Sequence, residues 1–226
     1  MKFTSYGHSC FAVETAGKTL LFDPFITPNE LARNISLDQV KADYILISHG
    51  HGDHIADAVT LAGKTGATVI SNFEVVTWLG SQGVEKTHPM NHGGAWNFDF
   101  GRVKYVTAVH SSQLPDGSYG GNPGGFVVEN AEGAFYFAGD TALTLDMKLI
   151  GEEFALRFAV LPIGDNFTMG AKDAARAAGF LNCKNVVGVH YDTFPLIKID
   201  HALAEDTFAS AGVKLHLPPI GGSLDL

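Results

Sequence analysis

Cysteine, basic charge and long apolar runs are all scarce in this sequence. Its two cysteines, Cys10 and Cys183, lie far apart and form no CxxC pair, which argues against both a disulfide framework and a thiolate zinc site. We therefore expect two buried free thiols. No apolar run approaches the roughly 18 residues that a membrane span requires, and residues 1–6 lack the apolar core of an export signal. These absences predict a cytoplasmic protein without a membrane partner.

Acidic residues outnumber basic ones by 24 to 15, which gives a formal net charge of -9. Such a chain has no broad basic surface for a phosphate backbone, so we expect a small-molecule substrate and no nucleic-acid partner. With 46% hydrophobic and only 17% charged residues, the sequence predicts one globular α/β domain over residues 1–226. Homo-oligomers are common among soluble proteins, and we expect one on that general ground alone.

Four side chains of metal-ligand type stand within six residues, at His49, His51, Asp53 and His54. They follow the apolar run 44–48, so a buried strand is predicted to deliver them into a loop. Residues two apart on an extended segment point the same way, which lets the first two histidines share one ion while the last two residues face a second. A chance cluster of surface histidines is the alternative, and it leaves this spacing unexplained.

Apolar runs and turn residues divide the first half of the chain into alternating strands and helices. The opening pattern predicts a hairpin of two strands, over residues 2–13 and 18–22. After the histidine-rich motif, a helix over 55–64, a strand over 67–71 and a helix over 74–80 give a βαβα order.

The second half of the sequence repeats this order of elements. Two hairpins come first, and strands and helices then alternate to the end of the chain. The predicted elements are hairpins over 96–109 and 125–138, strands over 158–162, 185–189 and 213–217, and helices over 170–181 and 201–211. Four histidines outside the motif are assigned structural positions: His88 and His92 in a turn-like stretch, His201 near a helix start and His216 in the last strand.

His8 and Asp23 are candidates because of their places on the first strands. His8 lies among apolar residues, where a histidine is either a satisfied core side chain or part of a site. Asp23 ends an apolar strand before Pro24, where it is either a turn former or a carboxylate that orients a metal-bound imidazole. We take Asp53, Asp23 and His8 as the candidate catalytic residues.

Three further ligand-type residues, His110, Asp140 and His190, each follow an apolar strand. Strand ends meet where sheets pack together, so we expect these side chains to join the motif of residues 49–54. The glycine-rich and proline-rich loop 113–125 follows His110 directly and is predicted to lie near the site. This loop lacks the Lys-Ser/Thr ending of a phosphate loop.

These residues carry a resemblance to the metallo-β-lactamase superfamily that spans the whole chain. The superfamily's hallmark, His-x-His-x-Asp-His, stands at residues 49–54. Its later ligands match His110, Asp140 and His190. More narrowly, segments 7–11, 22–25 and 161–170 resemble a branch of metal-dependent hydrolases that is similar to the L-ascorbate-6-phosphate lactonases.

The resemblance implies a four-layer αββα sandwich of two mixed β-sheets with helices outside, which is the metallo-β-lactamase fold. It also implies two divalent metal ions at one edge between the sheets. The implied ligands are His49, His51 and His110 for one ion, Asp53, His54 and His190 for the other, and Asp140 as a bridge. Zinc is the default for a set of histidines and aspartates, and Mn²⁺, Ni²⁺ or Fe²⁺ could also be accepted.

Hydroxide activated by such a dinuclear site would make the protein a metal-dependent hydrolase. We expect a small ester, lactone or phosphorylated substrate, and favour an anionic one because the metal pair is electropositive. The alternative is a phosphodiesterase or ribonuclease of the same superfamily, which the negative net charge argues against. A third possibility is a metal-binding or redox scaffold. His8, Asp23, Asp165 and Asn166 are candidates for contacts with either the substrate or the metal ligands.

Overall fold

The computed structural model describes residues 1–226 and contains fourteen strands and six α-helices. The strands are β1 (Lys2–Gly7), β2 (Cys10–Thr15), β3 (Lys18–Phe22), β4 (Tyr44–Leu46), β5 (Thr68–Asn72), β6 (Thr87–Met90), β7 (Ala95–Phe98), β8 (Gly101–Thr107), β9 (Gly124–Asn130), β10 (Gly133–Phe137), β11 (Leu156–Pro162), β12 (Asn185–Val189), β13 (Lys214–His216) and β14 (Ser223–Asp225). The helices are α1 (Gly52–Ile55), α2 (Ala58–Thr65), α3 (Phe73–Ser81), α4 (Asp146–Glu153), α5 (Ala171–Phe180) and α6 (His201–Ser210). None of these helices combines the length and the apolar composition that crossing a bilayer demands.

The strands form two seven-stranded mixed sheets with matching layouts. The order is β14-β1-β2-β3-β4-β5-β6 in the first sheet and β13-β12-β11-β10-β9-β8-β7 in the second. Each sheet has three antiparallel pairs on one side and three parallel pairs on the other: the antiparallel pairs join β14 to β3 in the first sheet and β10 to β7 in the second. The predicted repetition of element order is therefore present. Because crossovers return every parallel strand in the same direction, the carboxyl ends of those strands meet at one edge of the sandwich.

Three apolar clusters separate four layers. The central cluster lies between the sheets and is rich in phenylalanine, for example Phe11, which stacks on Phe22 with ring centroids 4.6 Å apart. One outer cluster packs α2 and α3 on the first sheet, and the other packs the alanine face of α5, together with Phe208 of α6, on the second. This arrangement confirms the predicted αββα sandwich. Cys10 and Cys183 are buried free thiols, as expected.

Local signals set the ends of several helices. Asn72 caps α3 by accepting a hydrogen bond from the backbone N–H of Val75, and Asp200 caps α6 in the same way. The helix α2 ends at Gly66, whose φ of +70° provides the left-handed residue that commonly closes a helix. Asn72 and Asp200 stand where the chain leaves the edge that carries the candidate site, after β5 and β12, whereas Gly66 lies at the opposite edge, before β5.

The prediction of one strand over residues 2–13 is wrong, because the chain turns at His8 and Ser9 and forms β1 and β2. Gly7 and His8 both have positive φ values, +93° and +54°, and the register of the pair shifts at this point. The apolar residues on both sides of the turn hid it in the sequence. The turn places His8 at the end of the sheet rather than inside a strand.

Two other predictions of secondary structure are also corrected. His88 lies in the edge strand β6, not in a loop, whereas His92 lies in a turn as expected. The chain does not end its regular structure at the strand near residue 217, since β14 returns to pair with β1, with Phe3 opposite Leu224. A three-residue strand such as β14 has too little pattern of its own and exists only through this pairing.

Candidate metal centre

The motif of residues 49–54 lies just beyond the carboxyl end of β4. His49 and His54 are fully buried, and Asp53 and His54 lie on the short helix α1. Nε2 of His49 lies 2.9 Å from Nδ1 of His51. The rings of both lie close to the ring of His110, at 5.2 and 5.1 Å between centroids. These three histidines form one group whose ligand atoms lie within 4.8 Å of one another.

A second group of ligand-type side chains lies beside the first. Its members, again within 4.8 Å of one another, are His8, Asp53, His54 and His190. Asp140 stands between the two groups. Its Oδ2 is 2.9 Å from Nε2 of His190, 3.3 Å from Nε2 of His54 and 3.7 Å from Nε2 of His110. One carboxylate oxygen therefore faces members of both groups, which brings together all seven ligand residues expected from the sequence.

Asp23 and Ser48 fix the orientation of two of the histidines. The fully buried Asp23 accepts hydrogen bonds from the backbone N–H of Ser48 at 2.7 Å and from its hydroxyl at 2.6 Å. Oδ2 of Asp23 is also 2.7 Å from Nδ1 of His54. Because a carboxylate only accepts, His54 donates from Nδ1 to Asp23, and this bond directs its Nε2 at the site.

The same reasoning applies to His49. The hydroxyl of Ser48 donates a hydrogen bond to Asp23, so its oxygen is left to accept one from Nδ1 of His49 at 2.9 Å. The Nε2 lone pair of His49 then points at His51 and His110. The structure thus places Asp23 as a carboxylate that orients histidines, one of the two roles considered from the sequence.

His8 contacts Asp53 rather than packing in the core. Its Nε2 is 3.0 Å from Oδ2 of Asp53, and its Nδ1 is 2.9 Å from the hydroxyl of Thr193. Burial lowers the pKa of His8 to about 4, although the hydrogen bond to Asp53 acts in the opposite direction. A neutral His8 donates from Nε2 to the carboxylate, so Nδ1 accepts from the hydroxyl of Thr193. The bond to Asp53 therefore sets this tautomer of His8, and the hydroxyl of Thr193 holds the other side of the ring.

The charge states of the group suit a divalent cation. Burial lowers the pKa of His49, His51 and His110, so that these imidazoles are neutral and able to donate lone pairs. Burial alone would raise the pKa of Asp140, but the neighbouring His54 and His190 lower it well below its usual range. For His54 burial is outweighed by the carboxylates of Asp140 and Asp23, which raise its pKa. Positive charge is thus stabilised beside Asp140.

Polar atoms buried without partners provide an independent test of a metal site. Nε2 of His54 and Oδ1 of Asp140 are both buried and make no hydrogen bond within the protein. Leaving such atoms unpaired is costly, so native proteins rarely do so without a function. Together with neutral imidazoles and ionised carboxylates, these atoms form a donor set that fits divalent ions such as Zn²⁺.

Asp165 and Asn166, also singled out in the sequence, do not join the cluster. Both are exposed, and Oδ1 of Asp165 accepts the backbone N–H of Asn166 within their own tight turn. Ser48 and Thr193 are the residues that the sequence did not reveal. Ser48 directly precedes the motif, which was the available signal, whereas Thr193 reaches His8 across 185 positions and carries no local signature.

Comparison with known proteins places this arrangement in a family. The family described as the beta-lactamase superfamily domain matches residues 2–190. The chain belongs to the metallo-β-lactamase superfamily. Within it, the chain also belongs to the UPF0173 metal-dependent hydrolases, because it is 55% identical to the member from Methylacidiphilum infernorum over the full length of both chains. The member from Flavobacterium johnsoniae is 51% identical, again over both full lengths.

Among solved structures, the superfamily fold is matched closely by Igni18, a metallo hydrolase from the hyperthermophilic archaeon Ignicoccus hospitalis. The two share 35% sequence identity and superpose with a TM-score of 0.89, and the alignment covers 99% of this chain and 97% of Igni18. The expected superfamily and the expected metal-dependent hydrolase family are therefore confirmed, and the similarity to the L-ascorbate-6-phosphate lactonases stays a prediction.

Proposed function

We propose that this metal-dependent hydrolase uses a dinuclear site to cleave a small ester, lactone or phosphorylated compound. The observation that carries the proposal is the position of Asp140 Oδ2, which faces histidines of two separate groups. Three side chains in one group, four in the other and a carboxylate between them offer enough donors for two neighbouring ions. A lactone is included because of the resemblance to the L-ascorbate-6-phosphate lactonases.

Two divalent ions held there would supply a hydroxide nucleophile at neutral pH and polarise the bond to be cleaved. The side chains of the protein would carry out the remaining steps of the reaction. Asp53 is the partly exposed carboxylate of the group, with 27% of its side chain accessible. Burial would raise its pKa, but the hydrogen bond from His8 lowers it, so Asp53 is ionised. All its ion pairs use Oδ2, which leaves Oδ1 to accept a proton and return it to the leaving group.

Metal loading tests this proposal directly. We expect the protein to bind two ions per chain after chelation and dialysis against Zn²⁺, Mn²⁺, Ni²⁺ or Fe²⁺, measured by elemental analysis. Because the ions bind only the folded chain, an ion concentration 1,000 times the dissociation constant would stabilise it by about 4 kcal/mol. For a chain of this size that is a rise in Tm of roughly 10 °C.

Turnover is then measured on a panel of esters, lactones and phosphate esters, with RNA at physiological salt as the comparison. Hydrolysis that requires the reloaded metal supports the proposal. Binding of a single ion per chain would contradict the dinuclear site. Absence of turnover with every metal would contradict the hydrolase, and preferential cleavage of RNA would favour the nuclease alternative.

A substitution at His8 tests its positioning of Asp53. We expect His8→Ala to lower kcat about 10- to 100-fold, the range found when partners of metal ligands are removed. His8→Gln should restore part of the loss, because the glutamine amide can place an N–H where Nε2 of His8 lies. Steady-state kinetics at matched metal content are the measurement. Equal kcat values for the two variants would argue that His8 acts through packing and not through its bond to Asp53.

A further inference from the structure

Large apolar side chains are exposed on the loops that leave the sheet edge carrying the candidate metal centre. Of the eleven in the whole chain, five lie on the three loops that follow β8, β11 and β12. These five residues, called the apolar rim below, are Val109, Tyr119, Phe167, Phe194 and Leu196. Resting on the proposed function, we propose that the apolar rim binds an alkyl or aryl substituent of the substrate while its scissile group lies at the metal centre.

Phe194 connects the rim to the site most directly. Its ring centroid lies 5.4 Å from the ring of His8 and 6.3 Å from that of Phe25. His8 in turn contacts Asp53. A group resting on Phe194 is therefore one side chain away from the ligand shell, although 37% of the phenylalanine remains accessible. An aromatic ring in that position offers area to a ligand at little entropic cost.

The loop that carries Phe194 and Leu196 is held in one shape. The backbone N–H of Asp192 donates to the carbonyl of Ile197 at 2.8 Å, and the Asp192 carboxylate accepts from the N–H of Ile199 at 3.1 Å. Oδ2 of Asp192 also lies 2.7 Å from Nε2 of His201. These bonds tie both ends of the loop together, so its apolar residues are exposed on a rigid support, which favours a binding surface over a loose connector.

The loop on the opposite side, beyond β8, is tied to the motif itself. The Ser112 hydroxyl accepts from the backbone N–H of Gly50 at 3.0 Å and donates to the carbonyl of Gly120 at 2.8 Å. A side chain at position 50 would come within 3.0 Å of Leu114, so glycine allows this close approach. This loop, tied to the motif in this way, carries Val109, next to His110, and Tyr119, next to Gly120.

The charges on these loops indicate what the rim does not bind. Their charged side chains are Asp116, Asp165, Asp192 and Asp200, against a single base, Lys198. A phosphorylated or nucleic-acid substrate needs cations beyond the metals to hold its remaining charges. The loops provide apolar surface instead, so an anionic group is accommodated at the metal ions alone and the rest of the substrate is uncharged.

Binding of straight-chain hydroxamic acids to the zinc-loaded protein tests the rim separately from turnover. The hydroxamate is a metal-chelating probe, and its chain is lengthened from acetohydroxamate to octanohydroxamate in calorimetric titrations. We expect affinity to rise about twofold for each methylene, less than the roughly fourfold expected for full burial because the rim is half open. Over the series this is a gain of about 50-fold. A terminal carboxylate on the longest chain should reduce affinity at least about tenfold.

The variants Phe194→Ser and Leu196→Ser should each reduce the gain in affinity from acetohydroxamate to octanohydroxamate to about 10-fold or less. Leu203→Ser on α6 is a matched control, because Leu203 and Leu196 are 65% and 67% exposed, and it should keep the gain of the wild type. Light scattering of each variant follows the oligomeric state.

Each other outcome has a defined meaning. Affinity that does not change with chain length, no binding at any length, or tighter binding of the chain with a terminal carboxylate would overturn the inference. So would rim variants that alter the oligomeric state without altering the gain, since the rim would then be an interface between copies of the chain. A gain in affinity with chain length, without hydrolysis of any ester, would support the binding role of the apolar rim and contradict the proposed hydrolase function.

Discussion

Asp140→Ala is expected to lower kcat/KM by on the order of a thousandfold or more, since even residues outside the ligand set contribute 10- to 100-fold. Oδ2 of Asp140 is the atom that faces both groups of histidines, at 3.7 Å from Nε2 of His110 in the first and 2.9 Å from Nε2 of His190 in the second. Without it, neither half of the site keeps its shared ligand. The metal content should fall below two ions per chain, measured by elemental analysis after dialysis against a fixed free-metal concentration.

Asp206→Ala provides the control for this experiment, because Asp206 is an exposed aspartate on α6 and makes no hydrogen bond or salt bridge. It should retain two ions and the activity of the wild type. Thermal unfolding of both variants reports whether the fold is intact. An Asp140→Ala protein that folds, holds two ions and turns over substrate at the original rate would show that Asp140 is not the bridge.

The convergence of the expected metal ligands was predictable because several of them follow strands that are clear in the sequence. The apolar runs before His49, His110, Asp140 and His190 correspond to β4, β8, β10 and β12. The ends of strands that point to the same edge of the sandwich converge by topology alone. Recognising each strand separately in the sequence is therefore enough to predict that these distant residues come together.

The residues that orient the ligands were less accessible to sequence reasoning. Asp23 was a candidate with two roles, and only its 2.7 Å contact with His54 in the structure distinguishes them. The contact of Thr193 with His8 depends on two local features of the backbone. One is the turn at His8, which looks like continuous strand in the sequence. The other is the left-handed conformation of His190 and Asp192, whose φ values are +57° and +63°. Tertiary contacts impose such backbone geometry on residues other than glycine, so it cannot be predicted from the residue types.

The apolar rim illustrates a different limit. Val109 and Phe194 could be read in the sequence as the apolar ends of buried segments, since hydrophobic residues are ordinarily inside. Their exposure appears only when the loops are in place. The sequence therefore predicts the chemistry of the centre, which depends on residue type, better than the surface that selects the substrate, which depends on which apolar residues remain uncovered.

Asp53→Asn is expected to lower kcat by about 10²- to 10⁴-fold, the range for loss of a group that transfers a proton. Asparagine has nearly the same shape but cannot accept and return a proton, so KM should change only a few-fold. The measurement is steady-state kinetics on variants with equal metal content, with Asp206→Asn as the matched control. Unchanged turnover in Asp53→Asn would contradict the proton-transfer role.

A double variant separates the role of Asp53 from that of its partner. His8 is placed to act through Asp53, to which its Nε2 is bonded at 3.0 Å. If so, His8→Ala should cost little in the Asp53→Asn background although it costs 10- to 100-fold alone, because two residues that act as one unit are not additive. Additive losses would instead assign His8 a separate contact with the metal ions or the substrate, which its place within 4.8 Å of Asp53, His54 and His190 also allows.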